Sequence, residues 1–123
     1  MAERRRVMRL KDENDIVVTI MSSAEKHFKE RIFYNQSKDI SAMGTGIMTN
    51  IFLPVNTFVN IDMTLTIVHQ IISVLGKVKW VSVIFDDESF AAGVEFFNPP
   101  SDAIKKLTDY IWWKQSFYSN PPI

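Results

Sequence analysis

The residues with the clearest capacity for chemistry form an arginine cluster near the start of the chain, Arg4-Arg5-Arg6-Val7-Met8-Arg9. A guanidinium group is a planar fork of donors that matches phosphate oxygens, or the O6/N7 edge of guanine, in bidentate fashion. It can also stack on a base. Taken alone, however, an arginine-rich terminus is more often a solvated basic segment than a binding site.

A second candidate is the segment 37–46, which reads SKDISAMGTG. Asp39 and Ser41 suit a tight turn between strands, where their side chains bond backbone N–H groups. Gly44 suits either a positive φ or the close approach of a ligand. A carboxylate at position 39 could accept hydrogen bonds from guanine N1–H and N2–H, while the Ser41 hydroxyl and the loop N–H groups meet phosphate. Read alone, an Asx-type turn without a ligand is the simpler interpretation.

The third candidate is the stretch Gly76-Lys77-Val78-Lys79-Trp80, followed later by Ala92-Gly93-Val94-Glu95-Phe96. Trp80 lies on a predicted strand and could offer a face on which a base stacks. Most tryptophans on strands are part of the core, so this segment by itself favours a structural role.

The elements that must position these residues are mainly β-strands. Val59, Ile61, Met63, Leu65 and Ile67 alternate with polar residues, which predicts a strand with one buried face. Similar patterns predict strands at 15–21, 28–36, 46–52, 59–67, 70–85 and 90–97, with an amphipathic helix as the alternative for 28–36. Gly76 predicts a bulge or bend within the fifth strand.

A C-terminal helix follows the strands. Asn98-Pro99-Pro100 ends the last strand, and Ser101 is a good N-cap. Ile104, Leu107 and Ile111 fall on one face at helical spacing, so we expect a helix over 101–117 that packs on a barrel or sandwich of strands.

Composition and charge limit the kind of protein. The chain has 123 residues, of which 46% are hydrophobic. This length and composition predict one domain over 1–123. Within it we expect a flexible arm at 1–14 and a barrel at 15–97. Fourteen basic residues balance fourteen acidic ones, which argues against a nucleic-acid polymer as partner. No export signal and no apolar run of roughly 18 residues is present, so we expect a cytoplasmic protein without membrane insertion. Cysteine is absent, which fits a reducing compartment.

In this order and spacing, the three segments together resemble the PilZ domain, a bacterial receptor module for cyclic di-GMP. The RxxxR motif of that family reads Arg5-Arg6-Val7-Met8-Arg9, and its (D/N)xSxxG motif reads Asp39-Ile40-Ser41-Ala42-Met43-Gly44. Its glycine-led strand ending in tryptophan reads Gly76–Trp80, and its GVxF strand reads Gly93–Phe96. The resemblance runs from about residue 3 to about residue 112.

The resemblance implies a six-stranded antiparallel β-barrel with one C-terminal α-helix. It implies that Arg5 and Arg9 grip guanine edges and phosphates, and that Asp39, Ser41 and Gly44 form the opposing wall. Trp80 would line the site or stack on a base. One departure is the separation of thirty positions between Arg9 and Asp39, longer than we expect for the family, which suggests an insertion or a short helix at 22–30.

Arg4 adds a cation beyond the Arg5–Arg9 pair. Because cyclic di-GMP can self-associate as an intercalated dimer of two dianions, the extra guanidinium predicts two nucleotides per chain. Arg6 could fill the same role, or Arg4 could be solvated.

Other classes of function fit the sequence less well. His27 and His69 are isolated, and no nucleophile motif is present, so we expect neither an enzyme nor a metal or cofactor site. A single-stranded nucleic-acid barrel is a weaker alternative. A docking module that works without nucleotide is the stronger one, because Trp112 and Trp113 are adjacent on the predicted helix and cannot both face the barrel equally. Because we find no output domain within the 123 residues, we expect a receptor of this kind to signal to a separate, unidentified protein.

Overall fold

The strands form one closed antiparallel barrel with a helix after it. The computed structural model describes residues 9–22, 32–65, 68–85 and 89–119. The elements are β1 (Leu10–Ser22), β2 (Ile32–Ile40), β3 (Gly44–Thr49), β4 (Phe58–Leu65), β5 (Gln70–Phe85), β6 (Ser89–Phe96) and α1 (Ser101–Ser119). The barrel closes in the order β1-β2-β3-β6-β5-β4. The predicted fold class, a six-stranded antiparallel barrel with a C-terminal helix, is confirmed.

The barrel interior is built by the alternating apolar residues of the strands. In β4 the side chains at 59, 61, 63 and 65 are almost completely buried, while those between them are partly exposed. This is the two-residue period that the sequence predicted. Fully burying one such aliphatic side chain stabilises the fold by about 1.5–3 kcal/mol, so these residues account for much of the stability of the barrel.

The two halves of strand β5 pair with different strands. Its first half, Gln70–Lys77, pairs with β4, and its second half, from Gly76, pairs with β6. Of the bulge or bend predicted at Gly76, the bulge is wrong, because Gly76 is in register with both neighbours, and the register shifts of β5 against β6 lie between Val78 and Trp80 and between Val83 and Phe85. Gly76 instead lies where the pairing of β5 passes from β4 to β6. A Cβ at position 76 would come within 2.3 Å of Val94 Cγ1, so the glycine is required by close packing.

Several predicted boundaries were wrong because ladder pairing, and not hydrophobicity, decides where the strands begin and end. Strand β1 already begins at Leu10, so residues 10–14 are not part of the predicted flexible arm. Strand β2 runs from Ile32 to Ile40, and Asp39 is therefore on a strand and not in a loop. Residues 32–36 are strand and not helix, while 28–31 and most of the 22–30 connection lie outside the described residues. Smaller differences affect β3, β4, β6 and the end of α1.

Helix α1 packs on the barrel with a face that the sequence predicted only in part. Its buried residues are Ala103, Leu107, Tyr110, Ile111 and Lys114. Ile104, which was predicted on this face, is 37% exposed. In the part of the chain that the structure describes, no helix is both long and apolar enough to cross a membrane.

Candidate ligand-binding site

An open cleft of about 480 Å³ lies on the outside of the barrel, where β2 and β3 meet β5 and β6. It brings together four residues that the sequence predicted, Arg9, Asp39, Gly44 and Trp80. The other lining residues are Met43, Thr45, Gly46, Lys79, Gly93, Val94 and Glu95. Two predicted site residues, Arg4 and Arg5, lie outside the described residues.

Asp39 is at the centre of the hydrogen bonding in this cleft. Its Oδ1 accepts a hydrogen bond from the Arg9 guanidinium and another, of 2.9 Å, from the backbone N–H of Gly46. A Cβ on Gly46 would lie 3.0 Å from Asp39 Oδ2, so glycine at this position leaves room for the carboxylate. The Arg9 and Asp39 side chains are 50% and 30% exposed. Exposed ion pairs add little to stability, so the main effect of this one is to hold both groups at the cleft.

The side chain of Ser41 stabilises the turn between β2 and β3. The residue is completely buried. Its Oγ accepts hydrogen bonds of 3.1 Å from the N–H groups of Met43 and Gly44, and it donates one of 3.3 Å to the Gly44 carbonyl. The structure therefore does not bring Ser41 to the lining of the cleft, and its hydroxyl is used to shape the turn that carries Met43 and Gly44.

Gly44 is needed for a close approach between two strands. No glycine in the described residues has a positive φ, so the positive-φ interpretation of Gly44 is wrong. A Cβ at this position would lie 2.4 Å from the backbone oxygen of Val94 on β6. Because that oxygen belongs to the backbone, it cannot rotate away, and β3 reaches β6 at this distance only with glycine.

Trp80 lies at the cleft and not in the core. It is 51% exposed and pairs with Gly93 across the β5–β6 ladder, directly after the irregularity that follows Val78. A bulge re-aims the side chains that follow it. The structural interpretation, in which Trp80 is a core residue, is therefore wrong. Its half-exposed indole provides an aromatic surface beside Arg9 and Asp39.

Lys79 is a second cation at the cleft and was not among the predicted site residues. Its Nζ lies 3.9 Å from Glu95 Oε1, and the two side chains are 49% and 55% exposed. Breaking this weak ion pair costs little free energy, so the lysine is able to bind an anion instead. The signal that could have found it is the placement of a basic residue directly before a predicted cleft tryptophan.

The two tryptophans of α1 lie away from this cleft. Trp112 is 59% exposed and Trp113 is 45% exposed. The ring of Trp113 lies 6.5 Å from that of Tyr110, centroid to centroid. Neither indole is therefore buried against the barrel.

The fold and the cleft together define a class of protein, a small closed β-barrel with a polar, aromatic-walled cleft on its outer surface. The family model of the PilZ domain matches residues 3–112, and the chain belongs to this family. No protein of curated function matches the sequence significantly.

Several solved structures share this fold. The Bacillus subtilis inhibitor of motility (MotI/DgrA) superimposes with a TM-score of 0.72 at 16% identity, over 91% of this chain and 51% of that one. The complex of Klebsiella pneumoniae MrkH with c-di-GMP gives 0.72 at 20% identity, over 97% and 56%. This chain thus spans about half the length of these two proteins. The PilZ domain of Escherichia coli YcgR with c-di-GMP gives 0.67 at 13% identity, over 98% and 99%.

Proposed function

We propose that this protein is a receptor for cyclic di-GMP that changes conformation on binding and signals to a partner protein in the bacterial cytoplasm, without catalysing a reaction. Membership of the PilZ family supports a receptor or adaptor role, and two structural neighbours were solved with this nucleotide. The observation that carries the proposal is the Arg9–Asp39 pair beside Trp80 in one open cleft.

Each group at the cleft has a function toward a guanine dinucleotide. The Arg9 guanidinium has five N–H donors, so its bond to Asp39 leaves others for a phosphate or a guanine edge. Among the described residues, no hydrogen bond reaches Asp39 Oδ2, and this oxygen would accept from guanine N1–H or N2–H. Trp80 would stack on a base, and Lys79 would neutralise a phosphate.

Arg5 and Arg4 complete the site in this proposal. Arg5 would grip the dinucleotide together with Arg9, as the RxxxR motif implies. The nucleotide would bridge the arm of residues 1–9 to the turn after β2, and the arm would then close over the cleft and create a new surface for the partner. Gly44 and Ser41 would act by shaping that turn, through the strand contact and the hydrogen bonds described above.

Calorimetric titration of the full chain tests this function. Cyclic di-GMP should bind saturably, while GTP and cyclic GMP should not. Arg5→Ala and Arg9→Ala should each weaken binding at least tenfold, because a charge-assisted bidentate hydrogen bond contributes about 1.5–3 kcal/mol. If both variants bind like the wild type and melt at the same temperature, the site assignment is wrong.

Lys38→Ala is the matched control for these variants. Lys38 is an exposed cation next to Asp39 in the chain, but it pairs with Glu13 at 2.9 Å and does not line the cleft. Because its charge is already paired with Glu13 and its side chain does not line the cleft, its removal should leave binding unchanged. An equal loss in Lys38→Ala and Arg9→Ala would mean that only the general positive charge matters.

A docking module that works without nucleotide is the second candidate function. It is favoured by the exposure of Trp112 and Trp113 on α1, since large exposed aromatic side chains are typical of protein interfaces. The titration distinguishes the two candidates, because a docking module of this kind would show no heat of binding with cyclic di-GMP.

A further inference from the structure

Strand β1 carries a bulge near its first residues, which directly follow Arg9 in the chain. The strand is in register with β2 at Lys11, which is opposite Asp39, and again from Asn14 onward, with one extra β1 residue between them. Asp12 lies in this bulge, three positions after Arg9. A bulge bends its strand and re-aims a side chain. Here the side chain of Asp12 points to helix α1.

The carboxylate of Asp12 is held by three donors. Its Oδ1 lies 2.7 Å from the ammonium of Lys114. Its Oδ2 accepts hydrogen bonds from the Tyr110 hydroxyl and, at 3.0 Å, from the side-chain amide of Asn14. The Asp12 and Lys114 side chains are only 12% and 9% exposed. Two charged groups are thus enclosed between β1 and α1.

A buried ion pair is not an efficient source of stability. The cost of removing both charges from water is large, and an apolar pair of similar volume is often as stable. The pair differs from an apolar contact in being directional, since a carboxylate with several donors in place allows one arrangement of its neighbours. The Asp12 cluster therefore fixes the position of α1 relative to β1.

The same short piece of strand is fixed at its other end by the cleft. Arg9 is bound to Asp39, which is also bound to the backbone of Gly46 on β3. From Arg9 to Asp12 the extended chain covers roughly 10 Å. A ligand that moves the Arg9 side chain, or holds it more firmly, therefore acts on a short segment whose other end is held by the hydrogen bonds of Asp12.

We propose that Asp12, Lys114 and Tyr110 are positioning residues that couple occupancy of the cleft to helix α1. The inference rests on the proposed function, because it takes cyclic di-GMP as the ligand at Arg9. The cluster holds the start of β1 so that Arg9 faces Asp39, and a bound ligand in turn stabilises the attachment of α1. Coupling between two sites is reciprocal, so both effects must be measurable.

The first measurement is the affinity for cyclic di-GMP in full-chain variants. Lys114→Met keeps the aliphatic volume and removes the charge, and it should weaken binding by about fivefold or more. Tyr110→Phe removes one hydroxyl without altering the ring, so it is the milder variant and serves where Lys114→Met does not fold. It should weaken binding by about twofold or more. Lys105→Met is the matched control, because Lys105 is on the same helix in an exposed pair with Asp109 at 2.9 Å. Its affinity should equal that of the wild type.

The second measurement separates coupling from a simple loss of stability. Amide hydrogen exchange over residues 103–116 should slow by about fivefold when cyclic di-GMP binds to the wild type. In Tyr110→Phe and Lys114→Met this slowing should be reduced or lost. A purely structural effect would instead speed exchange in the free and bound states by the same factor and leave their ratio unchanged.

The two proposals fail in different ways. If the wild type does not bind cyclic di-GMP, the proposed function is wrong. If the wild type binds cyclic di-GMP, but both variants keep the wild-type affinity and the wild-type ratio of free to bound exchange rates, the proposed function is supported and the proposed coupling through Asp12 is wrong.

Discussion

The indole of Trp80 covers the Cα of Gly93, its partner on the adjacent strand. A Cβ built on Gly93 would lie 2.0 Å from Trp80 Nε1 and 2.4 Å from Cε2. Glycine at 93 is therefore what allows the indole to lie against the barrel wall. Cross-strand contacts between an aromatic ring and a glycine are a known way to stabilise such positions in sheets.

Gly93→Ala should therefore displace the indole. The added methyl group meets a side chain and not the backbone, so the ring can rotate away at a cost of about 1 kcal/mol. We expect the tryptophan emission to shift to longer wavelength and the affinity for cyclic di-GMP to fall. Trp80→Phe is the control that shows how much of the signal comes from Trp80 and how much from Trp112 and Trp113. An unchanged spectrum in Gly93→Ala would contradict the described contact.

How much of the molecule the sequence predicts depends on how local the determining interactions are. Strand β5 has the predicted bounds, 70–85, because its β-branched residues favour a strand throughout. The end of strand β2 was predicted at residue 36 and lies at Ile40, because Lys38 and Asp39 have the composition of a loop, whereas Asp39 pairs with both β1 and β3.

Site residues were predictable where each lies in a short sequence motif, and not where the fold alone brings residues outside any motif together. The Arg9 and Asp39 positions follow from their motifs, although thirty residues separate them. The pair between Asp12 and Lys114 spans 102 positions, and no local pattern indicates it. Ser41 was assigned to a ligand because its hydroxyl is a good donor, whereas the structure uses that hydroxyl inside the turn.

Gly44 and Gly46 should respond differently to the same substitution. In Gly44→Ala the new Cβ meets the Val94 backbone oxygen at 2.4 Å, so β3 and β6 must separate, and we expect a loss of about 1–3 kcal/mol in the free energy of unfolding. In Gly46→Ala it meets the Asp39 carboxylate at 3.0 Å. That side chain can move, so we expect a smaller loss of stability and a clear loss of affinity. Denaturant unfolding and calorimetry measure the two effects, and equal stability losses would contradict this assignment.

Asp12 should give the stability of the protein a specific dependence on pH. Burial raises the pKa of this carboxyl, but the hydrogen bonds from Lys114, Tyr110 and Asn14 outweigh it, and the pKa lies below its ordinary value of 3.8. A lowered pKa in the folded state means that the carboxylate stabilises the fold above about pH 4 and loses this effect as the pH falls through the folded pKa.

Asp12→Asn tests this dependence. At neutral pH the variant leaves Lys114 buried without its carboxylate, so we expect it to be about 3–5 kcal/mol less stable than the wild type. The difference between the two proteins should stay constant above about pH 5 and narrow below pH 4, because only the wild type titrates at position 12. Asp109→Asn, which breaks an exposed pair on the same helix, is the control and should leave the stability nearly unchanged. If the difference in unfolding free energy between the wild type and Asp12→Asn does not change with pH, the Asp12 charge does not stabilise the fold.

The last prediction concerns how many nucleotides one chain binds, and it depends on Arg4. In our proposal Arg5 and Arg9 already meet one guanine and one phosphate, whereas an intercalated dimer of cyclic di-GMP carries four negative charges. A third guanidinium directly before this pair can stack on an outer guanine or bind the phosphate of the second molecule. We therefore expect a breakpoint at two equivalents when the protein is titrated far above its dissociation constant. Arg4→Leu should lower the breakpoint to one, while Lys38→Ala should leave it at two, because Lys38 does not line the cleft. A breakpoint at one equivalent in the wild type would rule out the dimer, and a breakpoint at two in Arg4→Leu would assign the extra contact to another cation, such as Arg6 or Lys79.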